Sequence, residues 1–93
     1  MKVEKIMCCC GSGLGSSMLV RMNVESILKK HGVDREIEVI HSSVSDAVET
    51  AADLFVVGSD LEEFVQHLPN KIILSNIMDK VELENKLKEK LDL

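Results

Sequence analysis

The sequence predicts an α/β fold: a four-stranded, parallel, open sheet with helices on both faces and a functional loop after the first strand. Three observations lead there. Short apolar runs alternate with segments of helical character, the pattern of parallel strands joined by right-handed crossovers. The first of these runs, Ile6-Met7-Cys8-Cys9, passes directly into Cys10-Gly11-Ser12-Gly13-Leu14-Gly15-Ser16-Ser17, a glycine-rich turn that opens a helix. The chain has 93 residues, 45% of them hydrophobic, yet Phe55 and Phe64 are its only aromatics. A core of aliphatic and Met side chains in a single domain, residues 1–93, is therefore expected, large enough to fold without staples.

Val3 to Cys9 reads as a strand covered on both faces, since its apolar run is nearly continuous. Ser16 to His31 reads as helix, with Ser16 or Ser17 as cap and Gly32 as the stop. Steps of 100° gather Val20, Val24, Ile27, Leu28 and His31 on one stripe, assigned to the sheet, and leave Met18, Leu19 and Met22 outside it. Ile37 to His41 is a second strand, and its polar interruptions Glu36, Glu38 and His41 place it at a sheet edge. A short helix capped by Ser45 is expected within Ser42 to Ala52, a third strand over Asp53 to Gly58, and a helical turn over Leu61 to His67. Lys71-Ile72-Ile73-Leu74 is the fourth strand. Asp79 to Leu91 is the last helix, with Leu83, Leu87 and Leu91 at four-residue spacing. This order is Rossmann-like or flavodoxin-like, and in such sheets ligands bind beyond the carboxyl ends of the strands. The Cys10 loop lies at that edge, and the loops beginning near Ser42, Ser59-Asp60 and Ser75-Asn76 reach it as well.

Composition removes several classes of function. Sixteen acidic residues against eleven basic ones, net charge −5, give no basic footprint for a nucleic acid. No segment approaches the roughly 18 to 20 apolar residues of a membrane span, and no signal-peptide pattern opens the chain, so a cytoplasmic protein is expected. Three consecutive cysteines cannot make the spaced framework of a secreted disulfide scaffold. Neighbours on a strand point to opposite faces, so Cys8, Cys9 and Cys10 do not converge on one metal ion; no metal and no cofactor are expected.

What the loop can do follows from its chemistry. Gly11, Gly13 and Gly15 leave peptide N–H groups bare of side chains, and the helix behind adds the positive end of its dipole. Helix N-termini favour thiolates, and the thiolate is the nucleophile. Attack by Cys10 on a phosphoryl group would set three oxygens among the N–H groups of Gly11, Ser12, Gly13, Leu14, Gly15, Ser16 and Ser17, with the hydroxyls of Ser12, Ser16 and Ser17 adding bonds. Cys8 and Cys9, inside the strand, read as core residues. Against nucleotide sites the match is poor: serine stands at position 16, where the dinucleotide fingerprint needs its third glycine, and no Walker lysine follows. A low-molecular-weight cysteine phosphatase or arsenate reductase uses a comparable loop but needs arginine at that same position, and Ser16 cannot supply the bidentate clamp. A loop of amides and hydroxyls suits a carrier that holds phosphate until an acceptor arrives.

Cys10 through Ser17, followed by Met18 and by Asn23-Val24-Glu25 on the helix, resembles the IIB components of the bacterial phosphoenolpyruvate-dependent sugar phosphotransferase system. The resemblance is to the lactose/ascorbate superfamily, and C-G-x-G-x-G-S-S looks most like its ascorbate-type branch. It covers essentially the whole chain. It implies a protein-phosphohistidine–sugar phosphotransferase subunit in which Cys10, the residue immediately before the first glycine, becomes phosphocysteine. The phosphodonor would be a phosphohistidine on a IIA protein, and the acceptor a sugar presented by the membrane permease IIC. A regulatory IIB-like module that receives phosphate as a signal is the other reading within that resemblance.

A relay must dock two partners around one loop, and Met18, Leu19 and Met22, off the sheet-facing stripe and near Cys10, are candidates for an apolar docking patch. Arg21 could steer a phosphoprotein or simply face solvent. His31, His41 and His67 sit at the ends of elements, where helix termination or exposure accounts for them without a proton-transfer role.

Overall fold

The computed structural model describes residues 2–11 and 15–93. Four parallel strands, β1 (Lys5–Cys10), β2 (Glu38–Ser43), β3 (Leu54–Gly58) and β4 (Lys71–Leu74), form one sheet in the order β2-β1-β3-β4. Two α-helices accompany them, α1 (Gly15–Lys30) and α2 (Lys80–Leu91). The expected sheet is thus present, with the second strand at an edge as its polar residues required.

The strand order decides which face each connection covers. Moving from β1 to β2 and then back past β1 to β3 reverses direction, so right-handed crossovers must lie on opposite faces. Accordingly Val20, Val24, Ile27 and Leu28 of α1 and Leu83 and Leu87 of α2 pack on one face, against Ile6, Cys8, Leu54, Val56, Ile72 and Leu74. The other face, Met7, Cys9, Phe55 and Val57, is covered by Ala47, Val65 and Leu68 from the β2–β3 and β3–β4 connections. Those connections carry 3₁₀ helices, Val44–Asp46 and Ser59–Phe64, so the helices on the second face are short ones.

Here two expectations are corrected. The helix within Ser42 to Ala52 is a single 3₁₀ turn, and its cap is Ser43, whose Oγ accepts from the Ser45 amide at 3.2 Å. Ser42 and Ser43 are still strand, paired with Cys9 and Cys10. Ser42 Oγ also donates to Asp46 Oδ2 at 2.6 Å, and such local bonds compete with a helix. The turn expected over Leu61 to His67 is the 3₁₀ segment Ser59–Phe64, whose following turn is held by Lys71 Nζ donating to the carbonyls of Val65 and Leu68 at 3.1 and 3.2 Å.

Ser16 and Ser17, expected as caps, instead lie inside α1, which begins at Gly15; the C-terminus of α1 and the N-terminus of α2 are as their sequences require. Gly32 takes φ 74°, and its amide and that of Val33 close on the Lys29 and Leu28 carbonyls. Asp79 caps α2, its Oδ1 accepting from the amides of Val81 and Glu82 at 3.0 Å each. Glu82, three residues on, reaches back across the connection: its carboxylate accepts from the amides of Ser75 at 2.8 Å and Asn76 at 3.1 Å, and from Lys86 Nζ at 2.8 Å. This variant of a capping box fastens the β4–α2 loop to the helix it precedes. The Lys86 ammonium and these backbone bonds hold the Glu82 carboxyl down at about 2.

Because that value lies below the ordinary one near 4.5, the Glu82 contacts add stability that is fully present above the ordinary value and is lost as pH falls toward 2. Glu82→Gln should therefore unfold at lower denaturant than the wild type at pH 7, with the gap closing between pH 5 and pH 2. Denaturation midpoints across that range provide the check, and a pH-independent gap would contradict the assignment.

Candidate functional site

Cys10 is the last residue of β1, and β1 is the strand that pairs on both sides. Its pairing with β3 ends at Cys8↔Val56, whereas its pairing with β2 runs on to Cys10↔Ser43. The thiol therefore sits at the point where the sheet changes direction, on the carboxyl edge. Its residue is buried, 6% exposed. The Sγ lies 3.2 Å from Ser17 Oγ, to which the thiol donates, and a longer contact of 3.8 Å reaches the Ser42 carbonyl. Ser17, in the first turn of α1, is buried at 1% exposure. Were Cys10 ionised, the Ser17 hydroxyl would turn and donate to the thiolate, since a hydroxyl serves either way.

Of the residues expected to bind phosphate, Gly11 and Ser16 share a cleft with Cys10, Ser17 touches the thiol, and Gly15 opens α1 with an exposed backbone. Ser12, Gly13 and Leu14 lie outside the described residues. Position 16 is on the cleft wall, so a side chain there faces whatever Cys10 faces.

The alternation of the strand turns the side chains of the two other cysteines into the cores, although Cys9 still borders the cleft. Cys8 points into the core beneath α1 and Cys9 into the opposite core. Burial pushes both thiols up to about 12, and in each case the neighbouring cysteine adds to the shift. Both stay protonated near neutral pH, as expected of core residues. Alkylation with iodoacetamide at pH 8 should add at most one label to the folded protein and three after denaturation. Two or three labels on the folded protein would contradict the burial of Cys8 and Cys9.

The cleft has a volume of about 240 Å³, and its far wall comes from the loops after β3 and β4. Gly58, Asp60 and Leu61 follow β3, Leu74 and Ile77 come from β4 and its loop, and Val20, Val56 and Val57 add aliphatic floor. Asp60 was among the rim residues expected from sequence. Leu61, Leu74 and Ile77 were not, because nothing in their local spacing marks them; only the strand order brings them opposite Cys10. Gly58 keeps the wall open, for a Cβ there would lie 2.6 Å from Asp60 Oδ1 and 3.0 Å from Ile77 Cγ2.

Met18, Leu19 and Met22 are exposed at 49%, 36% and 57%, off the sheet-facing stripe as their spacing implied. Arg21, on the same helix, is half-buried: its Nη1 donates to His41 Nδ1 at 3.0 Å and its Nε lies 3.5 Å from Glu25. His31 donates to Glu84 at 2.9 Å, tying α1 to α2, and His67 donates to the Ala47 carbonyl at 2.8 Å. Each histidine thus has a structural partner away from the thiol.

A thiol at the carboxyl edge of a parallel sheet, against the N-terminus of a long helix and facing a cleft, is the arrangement of a phosphoryl-handling α/β protein. Over residues 5–89 the sequence matches the family described as the PTS system, Lactose/Cellobiose specific IIB subunit, and the chain belongs to that family, whose general role is sugar phosphotransfer. Among its relatives is the ascorbate-specific PTS system EIIB component of Mycoplasma pneumoniae, 32% identical over 84 residues, a match covering 88% of each chain. Among the described residues no helix is long and apolar enough to cross a membrane.

Proposed function

We propose that the chain is a phosphoryl carrier in which Cys10 is the phosphorylated residue, residues 1–93 acting as one carrier domain at the cytoplasmic face of the membrane. In the first half-reaction the Cys10 thiolate attacks the phosphoryl group of a phosphohistidine on a IIA protein; the S–P bond forms, the P–N bond breaks, and imidazole leaves. In the second, a hydroxyl of a sugar held by the permease IIC attacks the same phosphorus; the O–P bond forms, the thiolate leaves, and the hydroxyl proton passes to solvent or to a base. No cofactor takes part.

One observation carries this reading: the 3.2 Å contact of Cys10 Sγ with Ser17 Oγ at the first turn of α1. On this reading the nucleophile stands beside a hydroxyl that accepts from the thiol and can turn to donate once it ionises, and beside the positive end of a helix dipole, groups that would stabilise first the thiolate and then the phosphoryl oxygens. Gly11 to Ser17 form the phosphate cradle on this reading. The name of the 32% identical relative makes ascorbate the first sugar-class acceptor to try.

Incubation with the general phosphotransferase enzymes, a cognate IIA and phosphoenolpyruvate should add a single phosphoryl group by intact mass, lost in Cys10→Ser. Ser17→Ala should charge at least about tenfold more slowly, the scale of one hydrogen bond to a charged group. Cysteine-linked phosphate persisting in Cys10→Ser, or rapid release of inorganic phosphate without a sugar acceptor, would refute the proposal.

Met18, Leu19 and Met22 complete the reading as an apolar contact for the partner proteins. Met22→Ala should keep the denaturation midpoint and raise the IIA concentration needed for half-maximal charging rate by several-fold. An unchanged concentration dependence would remove Met22 from the docking surface.

A further inference from the structure

Building on the proposed transfer from phosphohistidine to Cys10, we infer that Asp60 accepts the free ring N–H of the donor imidazole, which enters the cleft between Cys10 and the β3–β4 wall. The cleft has the right chemistry for that ring. Its lining sets the aliphatic side chains of Leu61 and Ile77 beside the polar groups of Gly11, Ser16 and Asp60, and suits a flat heterocycle with a polar edge. Asp60 is the charged residue among the described ones that line it. Its carboxylate folds back over Gly58, close enough that a Cβ on that glycine would sit 2.6 Å from Oδ1, so the missing side chain leaves room for the acceptor there.

Charge narrows the choice of occupant. A carboxylate sharing a cleft with a nucleophilic thiolate and an incoming phosphoryl group repels both, unless the group between them is positive. Phosphohistidine meets that requirement when its unphosphorylated nitrogen carries a proton. In the phosphorylimidazolium the N–H points away from phosphorus and donates to Asp60; as the P–N bond breaks, its electron pair stays on the departing nitrogen and the ring leaves as neutral imidazole. Protons and charge balance without any further reactant, and the carboxylate favours the charged ring from which the bond breaks easily. In the discharge step the cleft holds no imidazole, so Asp60 has no part in it.

The test measures both half-reactions. Asp60→Asn, at an exposed position, should lower the single-turnover rate of charging from phospho-IIA about tenfold or more. It should lower the reverse rate as well, while discharge to sugar, which involves no imidazole, does not slow. Gly58→Ala, which expels the carboxylate while keeping its charge, should show the same selective defect. Faster charging in Asp60→Asn would mean that Asp60 merely repels phosphate, and unchanged charging would mean that it only shapes its turn; a fast Gly58→Ala would show that position is irrelevant. Each of these overturns the inference. If wild-type protein takes no phosphoryl group from any phosphohistidine donor, the underlying carrier reading falls instead, so the two failures are distinct.

Discussion

The pairing of β1 on both sides is the constraint from which the rest of the site follows. A strand with neighbours on either edge and packed cores on either face cannot shift register without turning its buried side chains outward. Ile6 and Cys8 are locked beneath α1, Met7 and Cys9 against the opposite core, and Cys10 is left at the end where the ladder to β3 has already stopped. The thiol is thus delivered to the switch point by the burial of the four residues before it. The same burial keeps Cys8 and Cys9 protonated near neutral pH.

Around that fixed strand, the wall facing Cys10 is assembled from segments whose own elements are short. The β3–β4 connection is only 3₁₀, and the β4–α2 loop has no regular structure of its own. Their shape depends on side chains that satisfy backbone groups: Lys71 gathering carbonyls after the 3₁₀ helix, and Glu82 gathering amides before α2. Ile77 reaches the cleft from within the loop that Glu82 fastens. Local polar bonds, more than packing, therefore set the far side of the cleft, while packing sets the near side.

This division explains what could be read from the sequence. Regular elements with a burial period were legible: Lys71–Leu74 as a strand, the stripe Val20, Val24, Ile27 and Leu28, and the Leu83, Leu87 spacing all lie where their patterns put them. The Ser42 to Ala52 segment was misread because a serine-rich run with one acidic residue looks like a helix start, yet its hydroxyls bond locally and the strand extends into it. In the site, three serines had equal claims on the phosphate; only the phase of α1 turns Ser17 inward to the thiol and leaves Ser16 on the cleft wall. His31 shows the opposite case, since it fell on the sheet-facing stripe but spends its ring on Glu84 of α2. The D-x-x-E pattern of Asp79 and Glu82 was present in the sequence, but its amide partners Ser75 and Asn76 lie outside the helix and carry no periodic signal.

On the proposed carrier reading, Ser16 is where the balance between holding and releasing phosphate would be decided. A guanidinium at that position would face the cleft and bind two phosphoryl oxygens at once, stabilising a transition state for attack by water as well as by any other acceptor. A hydroxyl offers one neutral bond. For a protein that must accept a phosphoryl group from one partner and surrender it to another, strong binding of the intermediate is a disadvantage: each kcal/mol added to the phosphocysteine state is added to the barrier for leaving it. On that reading, neutral donors from Ser17 and the α1 N-terminus, without a cationic clamp at position 16, would keep that state shallow. The energy needed to cross the barrier would then come from groups present only when a partner is docked, and the open cleft beside Cys10 would be as much a part of the chemistry as the loop itself.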